Sequence, residues 1–219
     1  MGDIDMRTIT IGLVVIMVVF WIASAIMKRS TFNKMQRLLM EGNFNELYAL
    51  LDSKVTVVLF PEYNRTYLRL NAKIMEGDDA GARAIFDDLL SRHLTKKLRR
   101  DIVLKAFSYY LDHKDGKRSR ALLEEIEGWG SDQDAIKQHS RRTFDIVIKK
   151  SSAYIADMEA ELEGATGVRR GQLLFFLALQ YENAGDKKKA DEYYDQASRI
   201  AEGALGIVPD DDGGQAASK

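Results

Sequence analysis

Histidine, aspartate and glutamate are the residues here equipped for acid–base or metal chemistry, and their spacing serves neither. His93, His113 and His139 stand singly, without the paired spacing that a zinc site requires. There is no cysteine in the 219 residues, which excludes disulfides and every thiolate metal site. Asp157, Glu159, Glu161 and Glu163 are distributed around a helical pattern and read as a solvated face. Asp210-Asp211-Asp212-Gly213 lacks the alternation and the final Glu of a calcium loop. Nucleophile elbows, phosphate-cradling glycine loops and His-Glu-x-x-His pairs are missing too. The inventory points away from an enzyme and calls for no cofactor or metal, so binding is the chemistry to look for.

Composition narrows the scaffold. Hydrophobic residues make up 46% and charged residues 30%, with only two prolines, a balance that favours helix. A net charge of −1 gives no electrostatic reason to expect nucleic acid. Val55–Phe60, VTVVLF, is the one β-branched run after the N-terminal segment. By propensity it is a short strand; without an evident partner strand it ends a helix or packs as an apolar linker.

Thr8–Met27 is twenty residues without a charge, enough for a helix of about 30 Å. Arg7 precedes it, while Lys28, Arg29, Lys34 and Arg37 follow, so the sequence predicts a single membrane span. The charge asymmetry places the N-terminus outside and the remainder in the cytoplasm. Residues 1–29 are thus expected to be a transmembrane anchor with the lipid bilayer as partner through 8–27. Ala23-Ser24-Ala25 resembles a cleavage site and opens the alternative of an exported chain.

Gln172–Ala201 carries the clearest pattern. Leu174, Leu177, Ala178 and Tyr181 form one helical stripe; Ala190, Tyr194 and Ala197 form another; Ala184-Gly185-Asp186 joins them. Lys187, Lys188, Asp191, Glu192 and Asp195 turn outward. Large residues against small ones let two antiparallel helices interlock. This hairpin resembles the tetratricopeptide (TPR) repeat, with Leu174 for its Trp, Ala178 for its Gly and Tyr194 for its Phe. The turn recurs at Gly42, Gly77 and Gly116, spaced 35, 39 and then 69 residues to Gly185. The last gap either hides a repeat, with its turn near Ser151-Ser152 and Ala156 in the small position, or is spanned by one long helix over Asp134–Glu163. Ala82 and Ala121 fill the small-residue position in the repeats at Gly77 and Gly116, and Asp132 is a reasonable helix N-cap.

The resemblance implies an all-α chain: an N-terminal transmembrane helix, then a TPR-like α-solenoid over 30–203, with 204–219 as a disordered acidic tail. In that family the first helix of each repeat lines a concave groove. Projected on these turns, the inward positions are Tyr67, Asn71, Phe107, Tyr110, Arg141, Arg142, Phe175 and Phe176. Aromatics beside basic groups suit an amphipathic peptide bearing acidic residues. Arg65, Arg69 and Lys73 form a second, basic face. The family's carboxylate clamp is not reproduced, because Tyr67 and Ala106 stand where basic residues are wanted. The expectation is a non-enzymatic scaffold of the bacterial inner membrane that recruits protein partners; the alternative is an outward-facing subunit of translocation or envelope machinery.

Overall fold

A computed structural model describes residues 6–205, and the side chains of all of these except 6–16, 18–20, 204 and 205. The expected acidic tail therefore lies almost wholly outside the described residues. Among those described there is no strand, in keeping with the all-α expectation. The chain divides into two compact units, Met1–Leu94 and Thr95–Lys219.

The first unit contains α1 (Met6–Met40), α2 (Phe44–Asp52), α3 (Lys54–Leu59), α4 (Glu62–Glu76) and α5 (Asp79–Ser91). Its core joins Met35 and Leu38 of α1 to Leu47 and Leu51 of α2, with Phe60 and Ala72. The VTVVLF run is neither strand nor linker. It forms the short helix α3, started by Ser53, whose side chain accepts from the Thr56 N–H. Thr56 turns inward, and Val58 is left 85% exposed.

The expected membrane span over Thr8–Met27 is overturned: among the described residues no helix is long and apolar enough to cross a membrane. The apolar run is not an element of its own. It continues unbroken into the second half of α1, where Lys28, Arg29, Lys34 and Arg37 are exposed and Met35 and Leu38 pack inward. The single-pass topology and the inner-membrane placement fall with it. Most side chains between Thr8 and Phe20 lie outside the described residues.

The second unit contains α6 (Lys96–Asp112), α7 (Gly116–Glu127), α8 (Asp134–Val147), α9 (Ile155–Glu163), α10 (Gly167–Asn183) and α11 (Lys187–Leu205). Here α6 packs on α7, α7 on α8, and α10 on α8, α9 and α11. One core cluster gathers Ile146, Met158, Leu173, Leu177, Tyr181 and Ala190. Asp132 is not the N-cap of α8. It lies in a 3-10 turn, Ser131–Gln133, and pairs with Arg100 at 3.1 Å.

One turn design recurs through both units. Left-handed residues occur at Gly42, Gly77, Lys114, Lys150 and Gly185, at intervals of 35, 37, 36 and 35 residues. A sixth, Gly167, opens α10 and stands outside the series. After four of the five, the next amide donates to the carbonyl five residues back: Asn43 to Leu38, Asp78 to Lys73, Asp115 to Tyr110 and Asp186 to Tyr181, all at 2.8–2.9 Å. Three of these residues then cap the following helix, the Asp78, Asp115 and Asp186 carboxylates accepting from Gly81, Arg118 and Lys189. Five residues past the left-handed position lies a buried residue: Leu47, Ala82, Ser119 or Ala190.

The third turn corrects the expected register. Its left-handed residue is Lys114, so Ser119 is buried and Ala121 is exposed. Gly116 is instead the first residue of α7, where a Cβ would come within 3.1 Å of the Ile148 side chain. The fourth turn separates α8 from α9, so Asp134–Glu163 is two helices and not one. It is looser than the others: Ser151 N–H reaches back to Asp145 at 2.9 Å, one residue farther. Ala156 is exposed, and Met158 is the buried residue of α9.

A left-handed backbone costs an L-residue about 1–2 kcal/mol, against about 0.5–1 kcal/mol of extra chain entropy for glycine. Lys114 and Lys150 are both exposed. Lys114→Gly and Lys150→Gly should therefore each stabilise the protein, by about 0.5 kcal/mol, as read from the midpoint of urea unfolding. A fall in midpoint for both would mean that these backbones are not left-handed.

Candidate functional site

The second unit carries a groove built from one face each of α6, α8, α10 and α11. Ser108, Leu111 and Asp112 of α6 form one wall and His139, Thr143 and Val147 of α8 the next. On the far side stand Val168, Gly171 and Phe175 of α10 with Tyr194, Ala197 and Ile200 of α11. The space they enclose is about 940 Å³. A smaller cavity of about 320 Å³, lined by Leu104, Phe107 and Ile136, shares Ser108, Leu111, His139 and Thr143 with it. The two therefore adjoin along α6 and α8.

The helical repeat explains why these residues share a face. Along α8 the lining positions are four apart, and along α10 they are three or four apart, which is the spacing of one helical stripe. At Gly171 a Cβ would stand 3.3 Å from the Ile200 side chain, so glycine lets α10 and α11 close together at the groove floor. Two polar side chains of α10, the buried Gln180 and the half-buried Asn183, hold the turn after α8. Gln180 Oε1 accepts from the Tyr154 N–H at 2.9 Å, and Asn183 Nδ2 donates to the carbonyls of Ile146 and Ser151 at 3.0 and 3.2 Å. Sequence reasoning missed both residues, although polar positions on an otherwise apolar stripe were their signal.

Aromatic rings dominate the deep side. Phe175 meets Phe176 edge-on at 5.8 Å and Tyr194 at 6.0 Å between centroids, and His139 meets Phe176 at 6.2 Å. Loss of water is the main cause holding the His139 pKa below its ordinary value, and the charges of Arg169 and Arg142 add to it while Glu161 opposes. The imidazole is accordingly neutral at pH 7 and behaves as part of the aromatic wall. Of the large apolar side chains in this unit, those left exposed among the described residues are Val168 (74%) and Phe175 (46%). Both line the groove.

The expected binding residues divide. Phe175 and Phe176 line the groove. Phe107 (4% exposed) and Tyr110 (1%) are core. Phe107 only edges the smaller cavity, and Tyr110 accepts from Arg118 at 2.6 Å, so neither ring is an exposed anchor. Arg141 pairs with Glu127, and Arg142 pairs with Glu161 at 2.7 Å beneath the Tyr154 ring. Neither arginine lines the groove, which corrects the expectation of a basic surface for an acidic peptide. Tyr67 and Asn71 are half-buried on α4 in the first unit. Two of the three cations of the basic face there are paired from within: Arg69 with Asp52 at 2.6 Å, and Lys73 with Glu76 and Asp78 at 3.0 and 2.8 Å, while Arg65 donates to the Leu51 carbonyl at 3.4 Å.

The acidic run on α9 is only partly a solvated face. Glu159 accepts from Tyr181 at 2.6 Å and Tyr193 at 3.0 Å, and burial together with this carboxylate pushes Tyr193 up to about 12. Glu161 takes Arg142 and Arg169. Among the described residues no group of His, Asp and Glu could hold a metal ion.

The depressed His139 pKa has a signed consequence. As pH falls through about 6.5 the unfolded chain takes up the proton first, so folding loses stability. Between about pH 7.5 and 5.5 the wild type should lose more melting temperature than His139→Gln, all other titrating groups being shared. An equal or greater loss in the variant would mean that His139 titrates normally.

Compared with protein-family models, curated proteins and solved structures, the chain finds no match in any of the three.

Proposed function

We propose that this chain is a non-enzymatic adaptor whose second unit holds a segment of a partner protein in the groove between α6, α8, α10 and α11. One observation carries the reading. The two large apolar side chains that the second unit leaves exposed among the described residues, Val168 and Phe175, stand in the same groove. An exposed apolar patch in a concave setting is a mark of a recognition surface. Among the described residues no hydrogen bond joins the side chains of two polar lining residues, so none has the nucleophile–base geometry of a catalytic site.

The repeat interval of 35–37 residues adds support, being close to the 34 of tetratricopeptide arrays. On this reading the chain is a diverged array of helical hairpins whose first helices, α6, α8 and α10, face the partner. Recruitment to a bilayer forms no part of the proposal, since among the described residues no helix is long and apolar enough to cross one.

Photo-crosslinking tests this directly. A photoreactive residue at position 168 or 175 should capture a discrete partner in cells, whereas one at the outward-facing position 187 should not. Val168→Asp with Phe175→Ala should weaken capture from a neighbouring groove position by about 30-fold, the scale of a lost hot spot, with the helical spectrum intact. Capture that is as strong from 187, or unaffected by the double substitution, would move the binding surface elsewhere.

A further inference from the structure

The walls of the groove decide what form of segment fits it. All four are helix faces, whose backbone groups away from the helix ends are bonded within their own helices, and the described residues offer no strand edge. An extended segment laid here would leave its N–H and C=O groups unpaired against an apolar wall, at a cost of several kcal/mol. A helix satisfies its own backbone and presents ridges that interlock with the ridges of the walls.

Charge decides what else the segment carries. Asp112 is the one Asp, Glu, Lys or Arg among the lining residues of either cavity. It is the last residue of α6, where the helix end adds negative potential to its own. Among the described residues its carboxylate has no hydrogen bond or ion pair, and the charge of His113 is the only opposite influence on it. Loss of water at the groove pushes its pKa above the ordinary carboxylate value. A cation arriving from the occupant would give this carboxylate the partner that the fold withholds.

We propose that the occupant is an amphipathic helix of a partner protein, laying apolar side chains on Val168 and Phe175 and carrying a lysine or arginine that meets Asp112. This rests on the groove being the docking site, and it reverses the acidic partner expected from Arg141 and Arg142. The neutral His139 opposes no cation, and the arginines nearest it, Arg142 and Arg169, are already held by Glu161.

The test is selection of displayed helical peptides on the full chain. The library fixes apolar residues at i, i+3, i+4 and i+7 and randomises the remainder. Wild type should enrich lysine or arginine at one position, Asp112→Lys should enrich aspartate or glutamate there, and Asp112→Asn should show neither preference. A peptide selected on wild type should bind Asp112→Asn about tenfold more weakly. If peptides that depend on Val168 and Phe175 show no basic preference, or show the same preference on Asp112→Lys, the charge inference is overturned while the groove stands. If no selected peptide loses affinity on Val168→Asp with Phe175→Ala, the groove reading fails and takes this inference with it.

Discussion

The amide that reaches back five residues across a left-handed position is the interaction on which the rest of this structure depends. It ends one helix, satisfies a carbonyl that would otherwise be stranded, and aims the chain into the next helix. Asp78, Asp115 and Asp186 each do two jobs, donating backward through the amide and capping forward through the carboxylate. Because the turn fixes where the next helix begins, the residue five places on is carried to the inside at four of the five turns. That position holds Leu47, Ala82, Ser119 and Ala190 in turn, and a side chain of limited bulk there lets the two helices approach.

The groove follows from this geometry with little added. Turns that recur every 35–37 residues bring α6, α8 and α10 to bear on one depression, and α11 closes its end. The α8–α9 turn is the weak member of the series, since its backbone bond is one residue wider and it has no aspartate cap. Gln180 and Asn183 compensate by holding Tyr154, Ile146 and Ser151 from the side. Those three bonds add to the Arg141–Glu127 and Arg142–Glu161 pairs as the directional contacts that place α8, whereas its apolar contacts are non-directional. Amide side chains therefore set one wall of the groove, although neither Gln180 nor Asn183 lines it.

Much of the fold was legible because glycine marks a left-handed turn. Gly42, Gly77 and Gly185 could be read directly, and so could the paired stripes of α10 and α11. Lys114 and Lys150 could not, because lysine at positive φ has no sequence signature of its own; only the Asp115 that follows Lys114 hinted at the cap. Taking Gly116 as the turn moved the register by two residues, about 200° around a helix. Phe107 lies nine residues before Gly116 as Phe176 lies nine before Gly185, which is why it read as a groove residue. Counted from Lys114, the counterpart of Phe175 is Leu104, which lines the smaller cavity, as Phe107 does. The charges were illegible for another reason: Arg141 with Glu127 and Arg142 with Glu161 are pairs between different helices, set by packing and not by local spacing.

The account stands or falls on the fourth turn, where no glycine announces it and α8 is set beside α10. Native-state hydrogen exchange at the Ser151 and Tyr154 amides measures it most directly. Both are bonded here, Ser151 to the Asp145 carbonyl and Tyr154 to the buried Gln180 side chain. Exchange at both should be slowed to the rate of the interior of α10 and quickened at Tyr154 by Gln180→Leu. Exchange at the unprotected rate in the wild type would contradict a fixed turn, and with it the groove that the turn sets.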